Sequence, residues 1–228
     1  MLRRLAPDLW VAERPQRFLG IEMGTRMTVV RLADGSLSLH SPVALDDETR
    51  RELDALGPVR AVVAPNRFHH LHVGDYPAAY PEASIYAAPG LAEKRRDLTF
   101  HAVLGDDPAP VWAGRLEQLV FRGLPVFNEV VFFHPPSQTL VLTDLAFNVR
   151  RTPSLVSYLF FALDDAYGKF GPGRIERWLV RDRDAARVAL ERLLAWDFDR
   201  VVVAHGDILE RDGREAVRAS FAWLSRRN

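Results

Sequence analysis

The sequence predicts an α/β fold. Short, nearly all-apolar runs such as "VRAVVAP" (59–65), "TLVLTD" (139–144) and "FDRVVVAHGD" (198–207) read as strands buried on both faces. Longer stretches with apolar residues at helical spacing stand between and after them, as in "RDRDAARVALERLLAWD" (181–197). Several of the apolar strands run directly into a histidine or an aspartate, the strand-to-loop pattern of layered sheet-and-helix proteins.

The elements follow in order. "DLWVAER" is a short strand, and "RMTVVRLADGSLSLHSPV" a β-hairpin, with Asp34-Gly35 as a turn signal between alternating apolar positions. "DDETRRELDALG" is a helix, aspartates at its start, Gly57 at its end, Leu53 and Leu56 on its apolar stripe. After the 59–65 strand, "DYPAAYPEA" fits a short helix or turn, "SIYAAP" a buried strand and "GLAEKRRDL" a short helix. Residues 101–114 are proline-rich and read as an ordered loop. "LEQLVFRG" precedes "EVVFFHPPSQTLVLTD", two strands joined at Pro135-Pro136-Ser137. The aromatic stretch "SYLFFALDDAYGKFG" reads as a buried amphipathic helix carrying Tyr158, Phe160, Phe161 and Tyr167; it could also cover a site as a lid or join copies of a homo-oligomer. The 181–197 helix carries Ala186, Val188, Leu190, Leu193 and Leu194, and "GREAVRASFAWLSRR" is an amphipathic helix near the C-terminus. No repeat or linker interrupts the 228 residues, so residues 1–228 are expected to form a single domain.

Composition narrows the chemistry. Thirty basic residues balance thirty acidic ones, which gives no electrostatic case for nucleic acid or an acidic membrane as partner. With no cysteine, any transition metal must be held by imidazole and carboxylate, which suits zinc, iron or manganese. The N-terminal "MLRRLAPDLWVAERP" lacks an apolar run of signal-peptide length and no stretch approaches a membrane span, so a cytoplasmic protein is expected.

Three strand ends concentrate candidate ligands. His69, His70 and His72 follow "AVVAPN", Asp144 follows "TLVLT", and His205, then Gly206 and Asp207, follow "RVVVA". A lone histidine after a strand is usually structural and a lone aspartate usually a turn former. Three such ends on one sheet edge would place imidazoles and a carboxylate together, the donors of zinc and iron sites.

This order of elements resembles the metallo-β-lactamase fold superfamily from about Met27 onward, and so implies its four-layer αββα sandwich. The family's H-x-H-x-D-H loop corresponds to "RFHHLHVG", which puts His69 and His72 on ligand positions. Asp144 in "LTD" takes the place of the bridging aspartate, and His205 in "AHGD" that of the terminal histidine. The departures are Arg67 for the first histidine, Leu71 for the motif aspartate, and "LPVFNE" (124–129), which has no histidine where the family carries one. The chain is still more similar to an uncharacterised branch of the superfamily, a domain-of-unknown-function family, through "PN-x-x-HH", "YAAPGLAEKRRDL" and "EVVFFHPPSQTLVLTDLAFN".

The resemblance implies His69, His72, Asp144 and His205 as metal ligands for one zinc or iron ion, with Glu129, or less readily Asn128, as a further oxygen donor. Because Leu71 replaces the aspartate, Glu129 or Asp207 would be the general base of a metal-dependent hydrolase acting on an unknown small molecule. The alternative is a non-catalytic binding or scaffold protein, with Arg67 standing in for the lost cation beside Asp144 or Glu129. His70 would cap backbone or bond within the core, His134 would face solvent or support the site, and His40 and His101 would be surface or structural. Arg150 and Arg151, close after Asp144, could bind an anionic substrate or form a solvated edge.

Overall fold

Strand-forming, alternately apolar residues dominate the first forty positions, and the structure, a computed structural model describing residues 1–225, folds them into an antiparallel run. This comprises β1 (Leu2–Ala6), β2 (Leu9–Arg14), a small hairpin of β3 (Arg17–Phe18) and β4 (Ile21–Glu22), then β5 (Thr25–Arg31) and β6 (Leu37–His40). Helix α1 (Asp47–Leu56) starts where the Asp46 carboxylate accepts the Thr49 N–H, and stops at Gly57, φ 153°. It returns the chain to β7 (Val59–Ala64). From there α2 (Tyr76–Ala79) leads to β8 (Ser84–Ala87), and α3 (Leu91–Lys94) to β9 (Ala102–Val103). The last strand lies inside the stretch expected to be loop throughout. Together they form a seven-stranded sheet in the order β1-β2-β5-β6-β7-β8-β9, whose β6–β9 pairs are parallel.

The second sheet has the order β10 (Glu117–Val120), β11 (Val130–His134), β12 (Thr139–Val141), β13 (Arg200–Val202). Only its β12–β13 pair is parallel. The crossover between these two strands carries α4 (Leu155–Leu163), α5 (Arg174–Leu179) and α6 (Arg183–Leu194), and α7 (Gly213–Ser220) follows β13. Arg226 and Arg227, at the end of the expected last helix, lie outside the described residues.

Strand alternation sorts side chains into layers. Val11, Ala61, Val63, Phe132, Val141 and Val202 meet between the two sheets. The opposite faces, through Trp10, Val29, Val62 and Ala64, pack on α1, α2 and α3 via Leu53, Tyr76 and Leu91. On the far side, Val131, Phe133, Leu140 and Val201 pack on α6 and α7 via Ala186, Leu190, Leu193 and Val217. The result is the four-layer αββα sandwich.

Three expectations change. Helix α4 exposes Leu155, Val156, Tyr158, Leu159 and Leu163, the last 73% exposed, and buries only Ser157 and Phe161, so it is not a buried helix. Val188 of α6 is likewise exposed. His134 does not face solvent: it is fully buried, with Nδ1 2.7 Å from Ser137 Oγ. His40 is a core residue, and burial holds its pKa down at about 3.

Candidate metal centre

The three strand ends converge, and a hydrogen-bond scaffold far from any one of them in sequence sets each side chain. At the end of β7, the buried Asn66 accepts the Phe68 and His69 N–H groups at 2.8 and 2.7 Å. This Asx-type turn reverses the chain and aims His69 inward. The Asn66 amide donates to Asp144 Oδ2 (2.7 Å) and Thr143 Oγ1 (2.9 Å), and lies 3.3 Å from Glu129 Oε2. Past β12, the Glu129 carboxylate accepts three successive amides, from Thr143, Asp144 and Leu145, at 2.7–3.0 Å. Those amides form a nest that holds the loop bearing Asp144. Past β13, His205 Nδ1 donates to the Gly24 carbonyl at 2.7 Å. Gly206, at φ +90°, lets this segment lie against the Asn148 backbone, where any Cβ would collide.

His69 Nε2, Asp144 Oδ1 and His205 Nε2 form a nearly equilateral triangle with sides of 3.2–3.3 Å. A carbonyl only accepts, so the hydrogen of a neutral His205 is on Nδ1 and its Nε2 presents a lone pair to the triangle. Ser41 Oγ, 2.7 Å from His69 Nδ1, orients the other ring. The Phe147 ring stacks on His205 at 5.6 Å between centroids. All three side chains are nearly closed to solvent, 4–9% exposed. Burial works against ionising Asp144, but the His69 and His205 imidazoles outweigh it and hold its carboxyl below the ordinary range. Burial also disfavours the His69 cation, which the Asp144 charge more than restores, raising His69. The cluster is thus built to share a positive charge.

A tetrahedral zinc ion with bonds of about 2.0–2.1 Å would set its ligand atoms roughly 3.3–3.4 Å apart. The observed triangle fits that spacing, and His69, Asp144 and His205 could hold a metal ion.

His72, expected among the ligands, stands apart. The loop winds into successive tight turns, with Val73 N–H to His70 O and Asp75 N–H to His72 O, instead of running extended. His72 therefore turns outward, its Nδ1 3.3 Å from Asp75 Oδ2. Glu129 is occupied by the amide nest and anchors the loop; burial, then the Asp144 charge, push its carboxyl up while the amides pull against the shift. Asn128 donates to Pro89 O, away from the triangle. Asp207 is exposed, with its backbone paired to Asn148. Arg67 does not replace a cation: its guanidinium donates to Pro125 O. Leu71 faces solvent, 56% exposed. His70 Nδ1 accepts from Arg95 at 2.8 Å, and burial, then the Lys94 and Arg95 charges, keep its pKa at about 4.

Sequence reasoning missed Asn66, Ser41 and Gly24 as site residues. The Pro65-Asn66 pair is a turn signal that could have marked Asn66. On the Nδ1 side of His205 lies a cleft of about 760 Å³, lined by the β3–β4 hairpin, by Val149 and 151–153, and by 206–208. Gly24 belongs both to its wall and to the His205 hydrogen bond. Among the described residues, no helix is long and apolar enough to cross a membrane.

Comparison with solved structures gives the fold. A metallo-β-lactamase from Pontibacter korlensis superposes with a TM-score of 0.66 at 14% identity, covering 100% of this chain and 99% of its own. FIM-1 from Pseudomonas aeruginosa, in its mono-zinc form, gives 0.63 at 13% identity over 99% and 94%. The metal-soaked flavodiiron core Flv1 from Synechocystis sp. PCC6803 gives 0.66 at 15% over 99% and 60%. Among curated protein sequences nothing matches. The family described as "Domain of unknown function (DUF4336)" matches residues 7–167. The chain belongs to this DUF4336 family, a divergent branch built on the metallo-β-lactamase fold.

Proposed function

We propose that the protein is a metal-dependent hydrolase with a mononuclear centre, one zinc or iron ion held by His69, Asp144 and His205. The observation that carries this reading is the triangle of donor atoms 3.2–3.3 Å apart, with the His205 tautomer set by Gly24 so that Nε2 points into it. When bound, the ion would supply Lewis acidity and make a water at the site a better proton donor. The chain does the rest. Asn66 fixes the rotation of Asp144, Ser41 and Gly24 fix the two imidazoles, and Phe147 shields one face from solvent. With Glu129 committed to backbone amides, Asp207 at the cleft is the carboxylate left to accept a proton. The bond cleaved would be an ester, amide, thioester or phosphoester of a small molecule.

Metal analysis of protein purified without chelator tests this reading. Close to one equivalent of zinc or iron is expected, falling below a tenth in His69→Ala and His205→Ala. Less than a tenth of an equivalent in the unaltered chain, unchanged after zinc or iron is added, would sink it. One observation favours the second reading, a binding or scaffold protein without catalysis: the triangle is nearly closed to solvent, with its side chains 4–9% exposed.

A further inference from the structure

Arg150 and Arg151 follow Asp144 closely, and the metal centre leaves them without a task. Arg150 bonds Asn148 Oδ1 through Nε, but Arg151 stands on the wall of the 760 Å³ cleft with no hydrogen bond or ion pair among the described residues. The volume is that of a small-molecule site. Five arginines line the cleft against the three acids Glu13, Glu22 and Asp207, and with Asp46 paired to Arg14 from outside it one positive charge remains in excess. Most of the other charges are already matched. Glu13 is shared by Arg3 and the buried Arg26, Glu22 holds Arg17, and Arg14 reaches across to Thr49 and Asp46. Arg151 is therefore the guanidinium free to meet a ligand. Arg17, exposed on the hairpin, is the one able to swing from Glu22 and close on the same ligand from the opposite wall. A guanidinium grips phosphate or carboxylate through two parallel hydrogen bonds, which a lysine cannot reproduce.

We propose that this cleft anchors a small molecule through a phosphate or carboxylate group, with Arg151 as the principal contact and Arg17 as the second. Resting on the hydrolase reading, the cleft then names the substrate class: an anionic compound whose charged end sits on Arg151. The anion site itself needs no metal, so the two readings can fail separately.

Isothermal titration calorimetry on the full chain, at fixed ionic strength and with metal content measured on the same samples, tests the proposal. Pyrophosphate is the probe for the phosphate arm and citrate for the carboxylate arm. At least one should bind saturably to the zinc-free chain. Arg151→Ala should weaken it at least tenfold and Arg17→Ala about threefold, with Arg151→Lys recovering only part of the loss. His69→Ala, whose side chain touches no residue of the cleft wall, should abolish metal uptake and leave anion binding intact, which separates this proposal from the hydrolase reading. Arg96→Ala, an exposed arginine on another part of the surface, is the control. Absence of saturable binding by either anion at millimolar concentration, an unchanged affinity in Arg151→Ala, or an equal loss in Arg96→Ala would overturn the proposal.

Discussion

Glu129 and Asp144 form one pair of buried carboxyls, Asp164 and Glu176 another, and the protein treats them differently. In the first pair, Asn66 bridges the two acids and two imidazoles sit 3.2–3.3 Å from Asp144, which stays ionised. In the second, both carboxyls crowd the face of Gly173 where a Cβ would stand, and backbone amides are their hydrogen-bond donors. Burial, then the Asp164 charge, push Glu176 up to about 7. Two neighbouring acids taken out of water need a positive charge between them. Imidazoles, and on our reading a metal, supply it at the first pair; a proton supplies it at the second. The first arrangement suits a site that must attract a cation, the second a structural joint between α4 and α5.

The most damaging way to break the first pair is Asn66→Ala. It strips a donor from the buried Asp144 and Glu129 and an acceptor from two half-buried amides. We expect a loss of roughly 3 kcal/mol, about 6–12 °C in Tm by thermal unfolding, together with loss of metal uptake. A Tm within two degrees of the unaltered chain would remove Asn66 from its central place.

The second pair breaks with pH. Glu176 in the folded chain keeps its proton up to about pH 7, whereas an unfolded glutamate releases it near 4.5. Between these values the folded state binds more protons, so this group's contribution makes stability fall as pH rises from 4.5 through 7 and level off above. Glu176→Gln should remove that slope, leaving the variant roughly 2–3 kcal/mol more favoured at pH 8 relative to pH 4.5. Parallel denaturant curves for both chains across that range would count against the pairing.

Asp144→Asn tests the opposite sign. Asp144 is depressed in the folded state, so its contribution is present above the ordinary aspartate range and is lost as pH falls through the folded value. The variant should lie roughly 2 kcal/mol below the unaltered metal-free chain at pH 7, with the gap narrowing in acid. A gap that widens toward acid would contradict the assignment of charge.

Ser41→Ala is the mildest probe. It frees one ring nitrogen of His69 at a polar position, so stability should change by less than about 1 kcal/mol while zinc affinity drops roughly tenfold. Competitive chelator titration reads the affinity, and no change would leave His69 oriented by packing alone.

The contrast also marks what a single sequence can convey. Strand ends were legible because β-period apolar runs stop abruptly at His69's loop, at Asp144 and at His205. The amphipathic helices α1, α6 and α7 were legible from spacing. Asn66 and Ser41 were not, because their partners lie far along the chain: Asp144 is 78 positions from Asn66, and His69 is 28 from Ser41. His72 was misjudged because spacing says nothing of whether a loop runs extended or winds into turns. Helix α4 was misjudged because an apolar sequence states a capacity for burial, and the fold left that capacity unused at Leu155, Leu159 and Leu163.

The parallel β12–β13 pair in a largely antiparallel sheet has a consequence in time. His205 reaches the triangle 136 positions after His69 and 61 after Asp144, once the whole crossover through α4, α5 and α6 has been laid down. Such distant contacts are the slow steps of folding. The first sheet and its helices, up to β9, can assemble from nearby segments, but the donor triangle closes last. A refolding chain should therefore recover its first-sheet core before it recovers cation binding, and the interval between the two is a clock set by the topology.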